Sequence, residues 1–307
     1  MSFRTVVISK RGKLDLKMNY LVVRHESEVR RIFLDEINTV IIENPACSVT
    51  ACLLGELSKR KIKVIFCDEK HSPSSELVPC HGHFESSGKL REQIGWDPEI
   101  CRQIWTDIVG QKIKNQADFL SDKCQTDAAA LLRTYVNQLQ SGDTTNREGH
   151  AAKVYFGAIF GKNFRRGDGG VVDTALNYGY SIILSAFNRE VVASGYFTQL
   201  GFAHHNNFNY FNLSCDLMEP FRIFIDRHVD NCHLRQFTTN EKHQVLEIFN
   251  LPFLIDSTVR RLDDCIRLYT GSVFKAIASK NTALIKYCSW QNPAPQSKSK
   301  LKQPGSL

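Results

Sequence analysis

The sequence predicts an α+β protein: a small N-terminal β-domain, a β-meander with one helix, followed by a larger all-α domain that carries the chemistry. Three observations predict it. Short runs rich in Val and Ile recur every few residues through the first part of the chain. The pattern then changes to long stretches with apolar residues at three- and four-residue spacing. The change falls at a polar, proline-containing segment, EKHSPSS, at 69–75, whose composition is that of a hinge.

The runs at 4–9, 14–16, 21–24, 29–33 and 40–42 are separated by turn-forming or charged clusters (KRGK, KMN, HES), the spacing of a small meander. Ser48 stands where it would cap a helix over VTACLLGELSKRK, and KIKVIFCD at 61–68 reads as one more buried strand. The expected boundaries are a β-domain at 1–75, a linker at 76–96 and a helical catalytic domain at 97–290. In that domain Asp97-Pro98 forms an N-cap and N1 pair, opening a long helix to near Lys123. Further helices are predicted at 127–139, at 147–160 with Asn146 as cap, at 172–193, from Leu213, at 240–249 and at 257–278. The tail at 291–307, rich in Pro, Ser and Lys, has little to bury and is expected to be disordered.

With 307 residues and a 42% hydrophobic fraction, the chain can bury the core of one large domain or two smaller ones. Its apolar runs are far shorter than a membrane span, so no membrane association is expected. The N-terminus, MSFRTVVISKRGK, lacks the apolar core of an export signal. Ten cysteines are scattered without a C-x-x-C pair, the pattern of reduced thiols in a cytoplasmic protein. A net charge of +7 and a pI near 8.8 favour a polyanionic partner over an anionic metabolite.

One stretch concentrates the chemistry: LGFAHHNNFNYFNLSCDLMEPFRIFID, at 200–226. It sets a histidine pair in a polar, turn-forming loop and then starts a helix carrying Asp216 and Glu219. Carboxylates three residues apart share a helix face, and with a histidine they predict a divalent-metal site. His204 and His205 are adjacent, so on an extended segment they point apart and one of them reaches the site. Glu148, in the first turn of the Asn146-capped helix, is the candidate third ligand, because the helix dipole favours its ionised form. A glutamate in that place is also an ordinary dipole partner, and periodicity alone favours that reading. Two or three carboxylates with one imidazole suit Mg²⁺ or Mn²⁺ better than a closed structural zinc.

Other residues have two readings each. Cys67, His71, Cys80, His81 and His83 are close in sequence, but their spacing matches no common zinc module, and strand and hinge roles are expected. Arg222 either orients Glu219 or contacts a phosphate. Lys153, Lys162, Arg165 and Arg166, interleaved with Tyr155, Phe156 and Phe164, form a basic string suited to tracking phosphates, although the aromatics serve equally in a core. Asn177, Tyr178 and Tyr180 place polar atoms on an apolar helix, where they brace the site or satisfy the core.

Taken in order, REGHAAKVYF (147–156), VVDTALNYGYSIIL (171–184) and LGFAHHNNFNYFNLSCDLMEPFR (200–222) resemble the glutamate motif, the central helix motif and the joined histidine and acidic motifs of the CRISPR-associated integrase family. This is the larger of the two universal spacer-acquisition proteins, and the chain is most similar to the form found with type II systems. The N-terminal region, including VIFCDEKHSPSSELVPCHGHF, is also similar. The resemblance implies a homodimer with dimer contacts in the β-domain, and a metal held by Glu148, His204 and Glu219. His204 is preferred to His205 because Gly201-Phe202-Ala203-His204 follows the family's Gly-aromatic-x-His order. Asp216 matches a further acidic position; Ile223 departs from the proline found in many relatives. The implied reaction is attack by the 3′-hydroxyl of a captured double-stranded DNA fragment on the end of a CRISPR repeat. The implied partners are a small second adaptation protein, giving a heterohexamer-like complex, and further type II adaptation subunits. The metal chemistry alone also fits a DNase directed at branched DNA without integration. The basic balance alone fits a non-catalytic DNA-binding scaffold.

Overall fold

The computed structural model describes residues 4–25, 28–69, 71–79 and 84–290. Two sheets build the N-terminal region where the sequence predicts one meander. The first has the order β1 (Arg4–Ile8), β5 (Ile37–Ile42), β7 (Lys63–Cys67), β8 (Pro73–Glu76), with β1, β5 and β7 parallel. The second has the order β4 (Val29–Phe33), β3 (Tyr20–Arg24), β2 (Lys13–Lys17), β6 (Ser48–Val49). Only β2–β4 form a meander. Its first turn is Met18-Asn19, both with positive φ (48° and 63°), the backbone that a tight hairpin demands. Parallel strands need a crossover, and α1 (Ala51–Lys59) supplies it between β5 and β7. Its cap is Thr50, whose hydroxyl accepts from Leu53 N, whereas Ser48 is committed to β6.

β5 and β7 are buried on both faces, and this ties the two regions together. Val40, Ile42 and Val64 pack into the N-terminal core, while Ile41 and Ile65 point the other way, into the core of the helical region. The last three residues of the segment read as a hinge, Pro73–Ser75, belong to a strand. Pro73 opens β8, where an edge position tolerates its missing N–H. Glu76 then accepts from Ser185 Oγ (2.9 Å) and Asn188 Nδ2 (3.0 Å) across the domain junction. Edge strands are polar for the reason hinges are, since solvent reaches them, and composition does not separate the two. Within the expected linker lies α2 (Ser86–Ile94). Its buried Gln93 donates to the carbonyls of Phe197 and Leu200 (2.9 and 2.8 Å) and accepts from Phe197 N, pinning the chain that enters the histidine loop.

The helical region comprises α3 (Pro98–Asp122), α4 (Thr126–Asn137), α5 (Arg147–Phe160), α6 (Val171–Ala193), α7 (Asn212–Met218), α8 (Arg222–Cys232), α9 (Thr239–Leu246) and α10 (Leu262–Ser279). It is mostly helical but not all-α. The strands β9 (Pro252–Ile255), β10 (Thr258–Arg261) and β11 (Ser289–Trp290) form a small antiparallel sheet. The helix expected over 257–278 therefore starts at Leu262. Asp256 and Ser257 take positive φ (53° and 57°) and turn the chain into a hairpin instead.

Of the zinc alternative, Cys67 is buried in β7 and His71 Nδ1 meets Glu43 O; Cys80, His81 and His83 lie outside the described residues, as does the tail at 291–307. The nine cysteines among the described residues are free thiols, and no described helix is long and apolar enough to cross a membrane.

Candidate metal centre

Three elements bring the charges together. α5 enters through Asn146, whose left-handed backbone (φ 52°) lets its side chain accept from Gly149 N. The Asp143 carboxylate takes the N–H groups of Arg147 (2.7 Å) and Glu148 (3.0 Å). With the first-turn donors satisfied by these two caps, the Glu148 side chain is released for another partner. It meets Lys112 Nζ on α3 at 2.5 Å. Glu148 is thus more than a dipole partner.

Glu219 reaches the same ammonium from the other side, with Lys112 Nζ 2.5 Å from its Oε2. Asp216 and Glu219, three residues apart, take different partners. Pro220 has no N–H to give to the carbonyl of Asp216, so α7 stops at Met218 and Glu219–Phe221 tightens into a 3-10 turn before α8. The freed Pro220 carbonyl accepts from Asn115 Nδ2 at 3.2 Å. Arg222, one turn on, donates through Nε to Glu219 Oε1 at 2.8 Å and stacks its guanidinium 4.7 Å from the Tyr180 ring. The bond holds the Glu219 carboxylate in place.

Asp216 turns into the histidine loop. Fully buried, it accepts from the main-chain N–H groups of Phe202 (2.8 Å), Ala203 (3.0 Å) and His204 (3.0 Å), and from His204 Nδ1 at 2.5 Å. An oxygen pair that already accepts three main-chain N–H groups is best met by a further donor, so this contact favours the Nδ1–H form of His204 and leaves Nε2 out of the bond. In this structure the Asp216 oxygens hold the loop and the ring. Trp105 packs edge-on to the imidazole, 5.5 Å between centroids. Gly201 makes the wrap possible, because a Cβ there would come within 2.5 Å of His204 O and 2.7 Å of Asp216 Oδ2. His205 is exposed.

Each charge depends on the others. Burial opposes ionisation of Glu219, yet Lys112 and Arg222 more than offset it and hold its carboxyl well below the ordinary range. Burial likewise works against the Lys112 ammonium, and Glu219 and Glu148 overcome it. The His204 imidazole is raised, first by its bond to Asp216, against burial, and then by the charges of Asp216, Glu219 and Glu148. Both glutamates therefore act electrostatically on the histidine.

The remaining predicted residues divide. Arg166 donates to Asp173 Oδ1 (2.5 Å) and Asn177 Oδ1 (2.6 Å) and lies over the Tyr180 ring, so Arg166 and Asn177 clasp the α5–α6 loop to α6. Tyr178 is buried against Phe237, apart from the glutamates' network. Lys153, Lys162 and Arg165 are exposed, while Tyr155 is fully buried and Phe156 and Phe164 pack onto the core.

The sequence family described as CRISPR associated protein Cas1 matches residues 6–247 of this chain. The chain belongs to the Cas1 family. A CRISPR-associated endonuclease Cas1 from Neisseria meningitidis serogroup C (strain 8013) is 37% identical over 227 residues, 74% of each chain. Among solved structures, a chain of a Cas6-RT-Cas1–Cas2 complex matches with a TM-score of 0.73 at 16% identity, over 92% of this chain and 36% of that longer one. A casposase bound to integration product matches with a TM-score of 0.71 at 16% identity, over 100% of this chain and 96% of that one. These two likenesses are of fold.

For this Cas1 chain, Glu148, Glu219 and His204 offer two carboxylates and an imidazole, donors of a kind that divalent cations take. Among the described residues no three His, Cys, Asp or Glu side chains converge closely enough to hold an ion as they stand. The point on which both glutamates converge carries the Lys112 ammonium, a cation in the place of a cation. The set fits a divalent ion on that ground. Sequence reasoning misses Lys112, although a signal is there. It recurs with Ile108 and Gln116 at four-residue spacing on the buried face of α3, and a lysine in such a row needs a carboxylate partner.

Proposed function

We propose that the chain is a metal-dependent DNA endonuclease and integrase that inserts captured DNA into a CRISPR repeat array. The observation that carries the reading is the meeting of Glu148 and Glu219 at one cationic point beside an imidazole fixed by Asp216. Mg²⁺ or Mn²⁺ held by Glu148, Glu219 and His204 Nε2 would polarise the scissile phosphate and stabilise the leaving oxygen. Asp216 keeps the imidazole in the tautomer that offers Nε2, and Arg222 fixes the orientation of Glu219. The centre is open on one side. The His204 and Glu148 side chains are 42% and 24% exposed and Glu219 only 4%, so a phosphate can approach over the histidine. Exposed Lys153, Lys162 and Arg165 offer charge for the flanking backbone. A 3′-hydroxyl as nucleophile joins strands; water at the same phosphate cuts them.

Homodimerisation through the N-terminal β-region, a small second adaptation protein, further type II subunits and action in the cytoplasm belong to the same reading. Its support is the resemblance of the motifs, the endonuclease name of the Neisseria meningitidis relative, and structural neighbours described in a complex with Cas2 and on an integration product. The test is a half-site integration assay with labelled 3′-hydroxyl duplex DNA and a repeat-containing plasmid. Joined product is expected with Mg²⁺ or Mn²⁺ and none from Glu219→Ala. Cleavage without joining would replace the reading with a DNase. DNA binding that survives chelation, with neither cleavage nor joining when metal is present, would replace it with a scaffold.

A further inference from the structure

We propose that Lys112 is the counter-cation of the metal-free centre: its ammonium holds Glu148 and Glu219 together before a divalent ion arrives, and it must leave the space between them for the ion to bind. The proposal rests on the metal reading above. Lys112 comes from α3, while its two partners lie 36 and 107 residues away on other elements, yet both carboxylates sit 2.5 Å from the one nitrogen. Glu219 is 3% exposed and cannot be kept charged there without a partner. Carboxylate oxygens that meet at one point repel unless a cation fills it.

The choice of lysine matters. An ammonium is a compact point charge on a flexible four-carbon stem, whereas a guanidinium is a rigid fork. Mg²⁺ takes carboxylate oxygens at about 2.0–2.1 Å, so it competes with Nζ for the same space. Arg222 is bonded to the other oxygen of Glu219, so Glu219 keeps one cationic partner while the second is exchanged. Loading the centre is then the replacement of one cation by another, and the affinity observed is the difference between the two.

The experiment uses the full chain, stripped of metal, with Mn²⁺ alone as probe. Free Mn²⁺ is read by electron paramagnetic resonance and the melting midpoint is followed with and without the ion. Lys112→Met keeps the stem and removes the charge. It is expected to bind Mn²⁺ at least tenfold more tightly than the parent and to melt lower when metal-free, with saturating Mn²⁺ closing that gap. Equal or weaker affinity overturns the proposal. If Lys112→Met does not fold, Lys112→Arg carries the test, with Mn²⁺ affinity expected to fall at least tenfold and an unchanged affinity overturning the proposal. Glu219→Gln separates the two levels. Mn²⁺ binding by the parent that Glu219→Gln abolishes upholds the metal reading whatever Lys112 does, while binding that Glu219→Gln leaves intact overturns the metal reading and this proposal together.

Discussion

Asp216 and His204 are joined twice: the carboxylate accepts the imidazole Nδ1 proton at 2.5 Å and the main-chain N–H of the same histidine at 3.0 Å. One side chain thus sets both the position and the tautomer of the ring. Asp216→Asn removes the charge and turns an N–H₂ group toward donors. Loss of such a partner costs about 10–100-fold in metal affinity or activity. Mn²⁺ affinity and strand joining are expected to fall together by that much, while circular dichroism shows the fold retained. An affinity within twofold of the parent would remove Asp216 from the centre.

Gly201→Ala tests the same wrap from the opposite side. The new Cβ would lie 2.5 Å from His204 O and 2.7 Å from Asp216 Oδ2, and neither neighbour is the free end of a flexible chain. The loop must move away from Asp216, at a cost of about 1–3 kcal/mol as in other overpacked sites. A lower denaturation midpoint is expected, with strand joining reduced more than DNA binding, because the histidine is displaced and the basic surface is not. Joining at the parent's rate would show that the loop tolerates the methyl.

Local signals are legible in the sequence and distant meetings are not. Asp97-Pro98 and Asn146 announce their helices because a cap acts on the residues next to it. Glu219 and a histidine pair stand out by type and spacing, and the motif resemblance singles out Glu148 and His204, but Lys112 does not stand out, since its role exists only where three elements cross. Pro220 is a local signal with a local consequence. A proline at that place ends α7 and tightens the next turn into a 3-10 helix. The two faces of β5 and β7 stay hidden because a strand buried on both sides shows a continuous apolar run, with nothing to say which core takes which face.

Arg166 and Arg165 are neighbours in sequence with different work. The Arg166 guanidinium is bonded to Asp173, which is 2% exposed and also accepts from the N–H groups of Gly167 and Gly169. Arg166→Gln is expected to lower stability by about 1–3 kcal/mol, the cost of leaving a buried acceptor short of a partner. Its salt dependence of DNA binding should not change. Arg165→Gln and Lys153→Gln should do the reverse: an unchanged melting midpoint, and a log–log salt slope shallower by about 1 for each phosphate no longer neutralised. Fluorescence anisotropy across a salt series reads both. A shallower slope in Arg166→Gln would return that residue to the DNA surface.

Asp226, on α8 one turn beyond Arg222, is 1% exposed and receives the hydroxyl of Tyr180. Burial raises its carboxyl from 3.8 to about 6, against the Tyr180 bond and the charges of Arg222 and Arg166. The folded state therefore holds this proton more tightly than the unfolded chain. The sign follows: between about pH 4 and pH 6 the folded protein binds more protons, so this group makes stability fall as pH rises through that window and stay level above it. Asp226→Asn keeps an oxygen for Tyr180 and removes the ionisation. Arg222 and Arg166 retain Glu219 and Asp173 as partners. The variant is expected to be more stable than the parent at pH 7.5, with about 3 kcal/mol as the ceiling set by the raised carboxyl. That advantage should shrink to nothing by about pH 4. Urea titrations at the two pH values measure it, and a variant less stable than the parent at pH 7.5 would show that the Asp226 carboxylate contributes more to the core than its burial costs.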